Sequence, residues 1–499
     1  MRGRTQAAIA VWRSRGTRAV GERAFLVYLG AMVALVAIIP VGRAVWLSAS
    51  GADGVAVFSS PVAPPVVILV VAGLWAGALL LGRERGPAIR RPFLTHALAT
   101  SPAPVSQAFR GPLLRSGALV VSVCAGAAVL VGASLSSAGL AGLFETVAFA
   151  VVGLLVGVIA TVAWLAGQAM PRVAALLALV IAVLGTVTVA FPALRAVTPW
   201  GWVGLAYPLD AVASAPALTV LTALTIPLVA AVPSLMNRIA VDELVAQASR
   251  WSSATSQASG MDFDAAARLY QRKPHVGRRL PAVRSGRRLA STFVLRDAVG
   301  TLRTPGRLVA AVLGLALAVA LLALAAAPAA PGWLLGAAAG IIAFASLGPL
   351  TDGIRHAASV AGDLPLYGIS DERLLAQHTL FPLAVALVVA AAVVVVSAAM
   401  SGTVPGAEAT GAVLLVLLAL ATRIGNALKG PLPPVLLTPI PTAMGDPMAA
   451  VRLAWALDAA ILAALAGTAC ALVVDAPVLA LGVAGAIATT GISRWRHRR

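Results

Sequence analysis

The residues able to do chemistry are few and far apart. Hydrolysis of ATP on a phosphate-binding loop needs a glycine-rich turn ending in Gly-Lys-Ser/Thr, because a lysine must reach the phosphates. The only lysines, Lys273 and Lys429, follow Arg272 and Leu428, so that route is excluded. The histidines, His96, His275, His356, His378 and His497, are scattered without metal-ligand spacing. Cys124 and Cys470 both sit inside apolar runs, which argues against a disulfide framework and a thiolate metal site. No Gly-x-Ser-x-Gly elbow and no carboxylate pair at catalytic spacing appears. The chain is therefore expected to be a non-enzyme, with no catalytic, cofactor or metal residues of its own. One acid stands out. Asp458, in Ala454-Trp-Ala-Leu-Asp458, lies in an apolar run, where an ionisable group is costly and often functional. It reads as a protonated packing residue, as the partner of a nearby arginine, or as part of a transport path. Glu145, Glu408, Asp210 and Asp475 fall near the outer ends of such runs, where solvent accounts for them.

These side chains must be positioned by apolar helices. Of 499 residues, 60% are hydrophobic and 11% charged, with a mean hydropathy of +0.95. A soluble chain carries about 25% charged residues, so a water-soluble fold is ruled out. Crossing the hydrocarbon takes roughly 20 apolar residues. Twelve runs qualify: 24–42, 62–82, 113–134, 146–167, 173–192, 211–233, 308–328, 333–351, 380–400, 406–422, 453–473 and 476–493. Their continuous apolar character predicts helices, since barrel strands would alternate every second residue. The expected fold is all-α, a polytopic integral membrane protein with about twelve transmembrane helices in two six-helix halves.

Charge sets the expected orientation. With the N-terminus inside, 35 of the 37 Lys and Arg residues fall on cytoplasmic segments, leaving only Arg43 and Arg195 outside. Both termini are thus expected in the cytoplasm. The first 23 residues hold six arginines and read as a helix lying flat at the interface. The organisation is then 1–233, a first half with this interfacial helix; 234–307, a basic cytoplasmic linker with short helices; and 308–499, a second half. Within the linker, Asn237 to Trp251 and Asp262 to Tyr270 read as helices, followed by a basic segment to Pro281 and a basic helix at about 288–303. Its arginines suit anionic lipid head groups, or a partner. Nucleic acid is not an expected partner, because no stacking aromatics interleave the arginines.

Faint duplication is visible. In each half the cytoplasmic loop after the second span ends in a proline-flanked amphipathic stretch, Leu94 through Pro112 and Leu364 through Pro382, and Glu145 and Glu408 open the fourth spans. Twelve helices in two halves also describe the major facilitator superfamily. Gly348-Pro-Leu-Thr-Asp352-Gly-Ile-Arg355 shares that family's Gly and Asp but lacks the Arg-x-Gly-Arg-Arg continuation. The better resemblance is to type-2 ABC exporter permeases in their fused two-half, actinobacterial form. It rests on Leu98-Ala-Thr-Ser-Pro-Ala-Pro-Val-Ser-Gln-Ala-Phe-Arg110, Leu295-Arg-Asp-Ala-Val-Gly-Thr-Leu-Arg-Thr-Pro-Gly-Arg307 and Leu364-Pro-Leu-Tyr-Gly-Ile-Ser-Asp-Glu-Arg-Leu-Leu-Ala376. This resemblance implies a bacterial plasma-membrane subunit that moves an unidentified substrate outward. ATP and Mg would be held by a separate ATP-binding subunit, acting as a dimer. It also implies coupling helices at 94–110 and 364–378. Leu98, Phe109, Leu366, Leu374 and Leu375 would be buried against the ATPase, with Arg110 and Arg373 as polar anchors at the rim. A membrane scaffold without transport is the remaining reading.

Overall fold

The structure, a computed structural model, describes residues 39–209, 211–259, 288–326, 332–363, 368–401, 406–430, 432–438 and 447–497, with scattered positions between 24 and 35 and between 265 and 282. Among the described residues every regular element is helical. The chain divides into two compact units, Met1–Ser252 and Ser253–Arg499. The boundary falls within the stretch 234–307 expected as a linker.

The first unit runs α1 (Ile39–Ser50), α2 (Ala52–Ser59), α3 (Ala63–Glu84), α4 (Pro92–Ala99), α5 (Val105–Ala108), α6 (Arg110–Ser137), α7 (Leu143–Ala169), α8 (Ala174–Ala190), α9 (Pro199–Leu205), α10 (Ala211–Ala230), α11 (Val232–Asn237) and the start of α12 (Val241–Ser259). Its centre is α7, which packs on α3, α6 and α10. The α6–α7 hairpin is closed by a Schellman motif. Gly139, at φ +72°, donates its N–H to the Ser136 carbonyl, and Leu140 donates to Leu135. Ile68, Val71 and Trp75 of α3 meet Phe149, Val152 and Val156 of α7 in the core. Tryptophan N–H groups there find acceptors: Trp75 donates to the Val156 carbonyl at 3.2 Å and Trp200 to the Thr188 hydroxyl at 2.9 Å.

The second unit continues with α13 (Leu289–Leu302), α14 (Pro305–Ala325), α15 (Gly332–Leu347), α16 (Asp352–Val360), α17 (Asp371–Ser401), α18 (Gly406–Ala427), α19 (Pro447–Ala471) and α20 (Pro477–Arg496). The pairing of helices repeats that of the first unit. As α3 packs on α7 and α8, so α15 packs on α18 and α19; as α6 packs on α7, so α17 packs on α18; and as α7 packs on α10, so α18 packs on α20. Two chain segments that bury their apolar faces by the same pairings are structural repeats.

Ten described helices are long and apolar enough to span a membrane. They coincide with ten of the twelve expected runs. The run at 173–192 becomes α8, which at 17 residues rises only about 25 Å, short of a full hydrocarbon crossing. The first run, 24–42, lies largely outside the described residues, as do the interfacial stretch 1–23, the 262–270 helix and the basic segment after it. The third span of the second unit also differs from expectation. It begins at Asp371 rather than 380, and the helix carries through Pro382. A proline inside a spanning helix removes only its own N–H bond and is tolerated there.

Candidate functional site

The element after the second span of the first unit is built from α4 and α5. Pro92 occupies the first turn of α4, where its missing N–H costs nothing. The Thr95 hydroxyl accepts from the Arg90 N–H at 3.1 Å and donates to the Arg90 carbonyl at 3.0 Å, tying the helix to the chain that enters it. Leu98 and Phe109 then turn inward. Phe109 is fully buried, in one cluster with Leu98, Leu113, Leu165, Met236, Ile239 and Leu244. Leu98 and Phe109, expected to be buried against a partner, are here enclosed by their own chain. Side chains already enclosed by their own chain offer no surface. Arg110 is exposed, and Phe93 is the large exposed apolar side chain of α4.

The cluster brings α12 against this element through a buried polar seam. Gln168 of α7 donates from Nε2 to Gln247 Oε1 at 3.1 Å, and both side chains are buried. Gln247 Oε1 also accepts the Gly86 N–H at 3.0 Å, while Gln168 Oε1 accepts that of Ala88 at 3.3 Å. Trp164 Nε1 donates to the Arg85 carbonyl at 2.6 Å, and the Arg85 guanidinium lies 3.3 Å from the Trp251 ring centre. The chain leaving α3 thus has its backbone donors satisfied by α7 and α12, and its direction into α4 is set.

In the second unit, the amphipathic element directly after the second span is α16. Ile354, Ala357 and Ala358 are buried along one stripe, and Asp352 and Ser359 face outward. Asp352 pairs with Arg307 of α14 at 2.9 Å and with Arg355. The expected coupling stretch 364–378 is distributed differently. Leu366 lies outside the described residues. Arg373, Leu374 and Leu375 belong to the first turns of α17: Arg373 is exposed, Leu374 is buried within the chain and Leu375 is half-buried against the core of the unit. Leu374, like Phe109, is enclosed by its own chain and offers no surface.

Beneath α16, His378 of α17 and Asp297 of α13 meet with Nδ1 and Oδ2 2.7 Å apart. His378 is fully buried, the Asp297 side chain is 8% exposed, and Phe293 sets its ring edge-on to the imidazole at 4.8 Å. Nearby on α16, burial pushes the His356 imidazole below its usual range. Arg296 and His378 add to that, and Asp297 opposes it.

Asp458 of α19 is a counter-ion. Its Oδ1 accepts from Lys429 Nζ at 2.7 Å, and its Oδ2 pairs with Arg494 of α20. Lys429 lies 3.8 Å from the Trp455 ring centre, and Arg494 donates to the Gly425 carbonyl at 3.0 Å. Two cations, one just past the end of α18 and one near the end of α20, meet one carboxylate within α19 and form an electrostatic clasp. Pairing with an arginine, one of the alternatives read from sequence, is present.

Sequence reasoning missed the Gln168–Gln247 seam, the Asp297–His378 pair and Arg423. Arg423 of α18 donates to the carbonyls of Phe344 at 2.5 Å and Ala345 at 3.1 Å. A signal existed for two of them, since Gln168 and Arg423 are polar residues at the ends of long apolar runs. Both do the same work, serving the end of the second span from the fourth. The Trp164–Arg85 and Arg423–Phe344 bonds likewise each join a side chain of one of these helices to a carbonyl near the end of α3 or α15. Among the described residues no cluster of His, Cys, Asp or Glu has the makings of a metal site.

Fold and site together define the class: an all-α polytopic membrane protein, built from two repeats whose second spans each lead into a short amphipathic element. A scan against protein-family models, a search of curated proteins and a search of solved structures each return no match to this chain.

Proposed function

We propose that the chain is the membrane-spanning permease subunit of an ATP-driven exporter. It resides in a bacterial plasma membrane with both termini in the cytoplasm, and it works with a separate ABC-type ATP-binding subunit acting as a dimer. The cargo is an unidentified amphipathic molecule moved outward. The observation that carries this reading is the repeat itself. Two units with the same helix pairings each follow their second span with a short amphipathic element, α4–α5 in one and α16 in the other. By the bias of basic residues both elements belong to the cytoplasmic side, where a partner would push on them. A missing phosphate-binding lysine loop leaves the energy source to that partner.

The burial of Phe109 and Leu374 changes how such a push is received. The partner meets the exposed faces of α4 and α16, and the buried side chains pass the displacement to α7, α12 and the span helices. Substrate would cross by alternate opening to the two sides of the membrane, as in repeat-built transporters generally. The test is co-expression with the ATP-binding subunit encoded beside this chain. The pair should co-purify and show vanadate-sensitive ATP turnover that the isolated chain lacks. Robust turnover by the isolated chain refutes the proposal. Transport by the isolated chain in liposomes, driven by a pH gradient alone, refutes it in favour of a facilitator.

A further inference from the structure

We infer that the Asp297–His378 pair is the pin that holds the amphipathic helix α16 to the base of the third span, making both residues positioning residues for whatever load α16 receives. That load is supplied by the proposed function; the pin is a property of the isolated chain.

Three cytoplasmic-side elements of the second unit converge on this one contact. Asp297 comes from α13, the helix that precedes the first span. His378 lies in the second turn of α17, which goes on to become the third span. Gly353 is in the first turn of α16, directly over the bond. A Cβ built there would stand 2.8 Å from Asp297 Oδ2 and closer still to His378 Nδ1, so only glycine lets α16 settle onto the pair. The buried stripe of Ile354, Ala357 and Ala358 follows at once, and the Asp352–Arg307 bridge holds the start of the helix from the other side.

The chemistry suits a pin better than a loose surface contact. Both side chains are removed from water, so neither has solvent to fall back on when the other is lost. Among the described residues His378 Nε2 is buried without a hydrogen-bond partner, so the imidazole's polar hold runs through Nδ1 and Asp297. Phe293, edge-on at 79°, fixes the ring plane and keeps Nδ1 aimed at the carboxylate. The bond ties α13 to α17, and α16 rests on it through Gly353, so loss of the bond loosens the seat on which α16 packs. The load on α16 is thereby divided between α17 and the lead-in to the first span.

The experiment is hydrogen exchange, read by mass spectrometry, on the full chain in lipid nanodiscs without any partner. In the parent protein, peptides covering 352–360 should be protected. Asp297→Ala and His378→Ala should each raise exchange there by about tenfold or more, as expected when a buried polar partner is orphaned. Peptides covering 92–108 should not change, which reports that the chain is still folded. The double variant should exchange less than the product of the two single effects, because removing both partners leaves no orphan. Asp297→Asn, which retains an acceptor for Nδ1–H, should restore most of the protection. Unchanged exchange over 352–360 in both alanine variants overturns the inference, as does equal loss in Asp297→Asn and Asp297→Ala. If the pin behaves as stated while no ATP-binding subunit is captured, the proposed function fails and the pin stands.

Discussion

The crossing of α15 and α19 gives a sharp test of how the second unit is held together. Gly336 and Gly340 on α15 face Ala463 and Gly467 on α19, small residues at four-residue spacing on both helices. In a membrane such pairs let backbones touch, and packing then replaces the hydrophobic drive that lipid removes. A Cβ added at Gly336 would lie 2.6 Å from the Gly467 carbonyl oxygen and 2.7 Å from the Ala471 Cβ. Ordinary contact begins at 3.4 Å, so the helices must part by 0.8 Å. A gap of that size forfeits about a quarter to a half of each dispersion contact across the seam, and overpacking of this kind costs about 1–3 kcal/mol. The intruded atom is backbone, which has no rotamer to escape into, so we take about 2 kcal/mol. Gly485 on α20 is the control, because a Cβ there meets nothing within 4 Å. Both substitutions to alanine gain the same helix propensity, up to about 1 kcal/mol, so their difference isolates the steric cost. Gly336→Ala should be less stable than Gly485→Ala by about 2 kcal/mol, or about 30-fold in the unfolding equilibrium. Unfolding of each variant in mixed micelles of rising SDS fraction, followed by tryptophan fluorescence, reads that difference. Equal stability of the two variants would refute the close crossing.

Three further outcomes are expected. Phe109→Ala opens a hole in a cluster where the ring is fully buried, at a cost of about 3–5 kcal/mol, so α4, α5 and α12 should become sensitive to limited proteolysis while Arg110→Ala leaves them resistant. His356 is held below its ordinary value in the fold, so an unfolded segment takes up a proton at a pH where the folded one does not. Protection of α16 from hydrogen exchange should therefore fall as pH drops below about 6.5, and His356→Gln should flatten that profile. Single cysteines at Ser59, Ser137 and Ser256 in a Cys-free background test the topology: an impermeant thiol reagent applied outside should label the first two and spare the third. Labelling of Ser256 would overturn the inward assignment of the linker.

Much of the architecture was legible because the bilayer imposes a simple rule. Every backbone polar group in the hydrocarbon must be satisfied within its own segment, so a run of about 20 apolar residues has one available structure. Ten expected spans appear as helices on that ground alone. The charge bias and the missing lysine loop were equally plain, since each is a matter of which residue types occur where. What composition could not decide was which side of a short amphipathic helix looks inward. Leu98, Phe109 and Leu374 have the character of interface residues, and an apolar side chain satisfies a partner's groove or its own chain equally well. The fold enclosed them, because α7 and α12 reach Phe109 from positions more than 50 residues away in sequence.

The polar contacts belong wholly to tertiary structure. Asp458 was visible as an acid in an apolar run, but its two cations come from Lys429 and Arg494, 29 and 36 residues distant. His378 and Asp297 are 81 residues apart, and neither sits in a pattern that names the other. Hydrophobic periodicity records which face of a helix is buried, and it is local. A hydrogen bond between distant side chains depends on how helices cross, and no local pattern carries that.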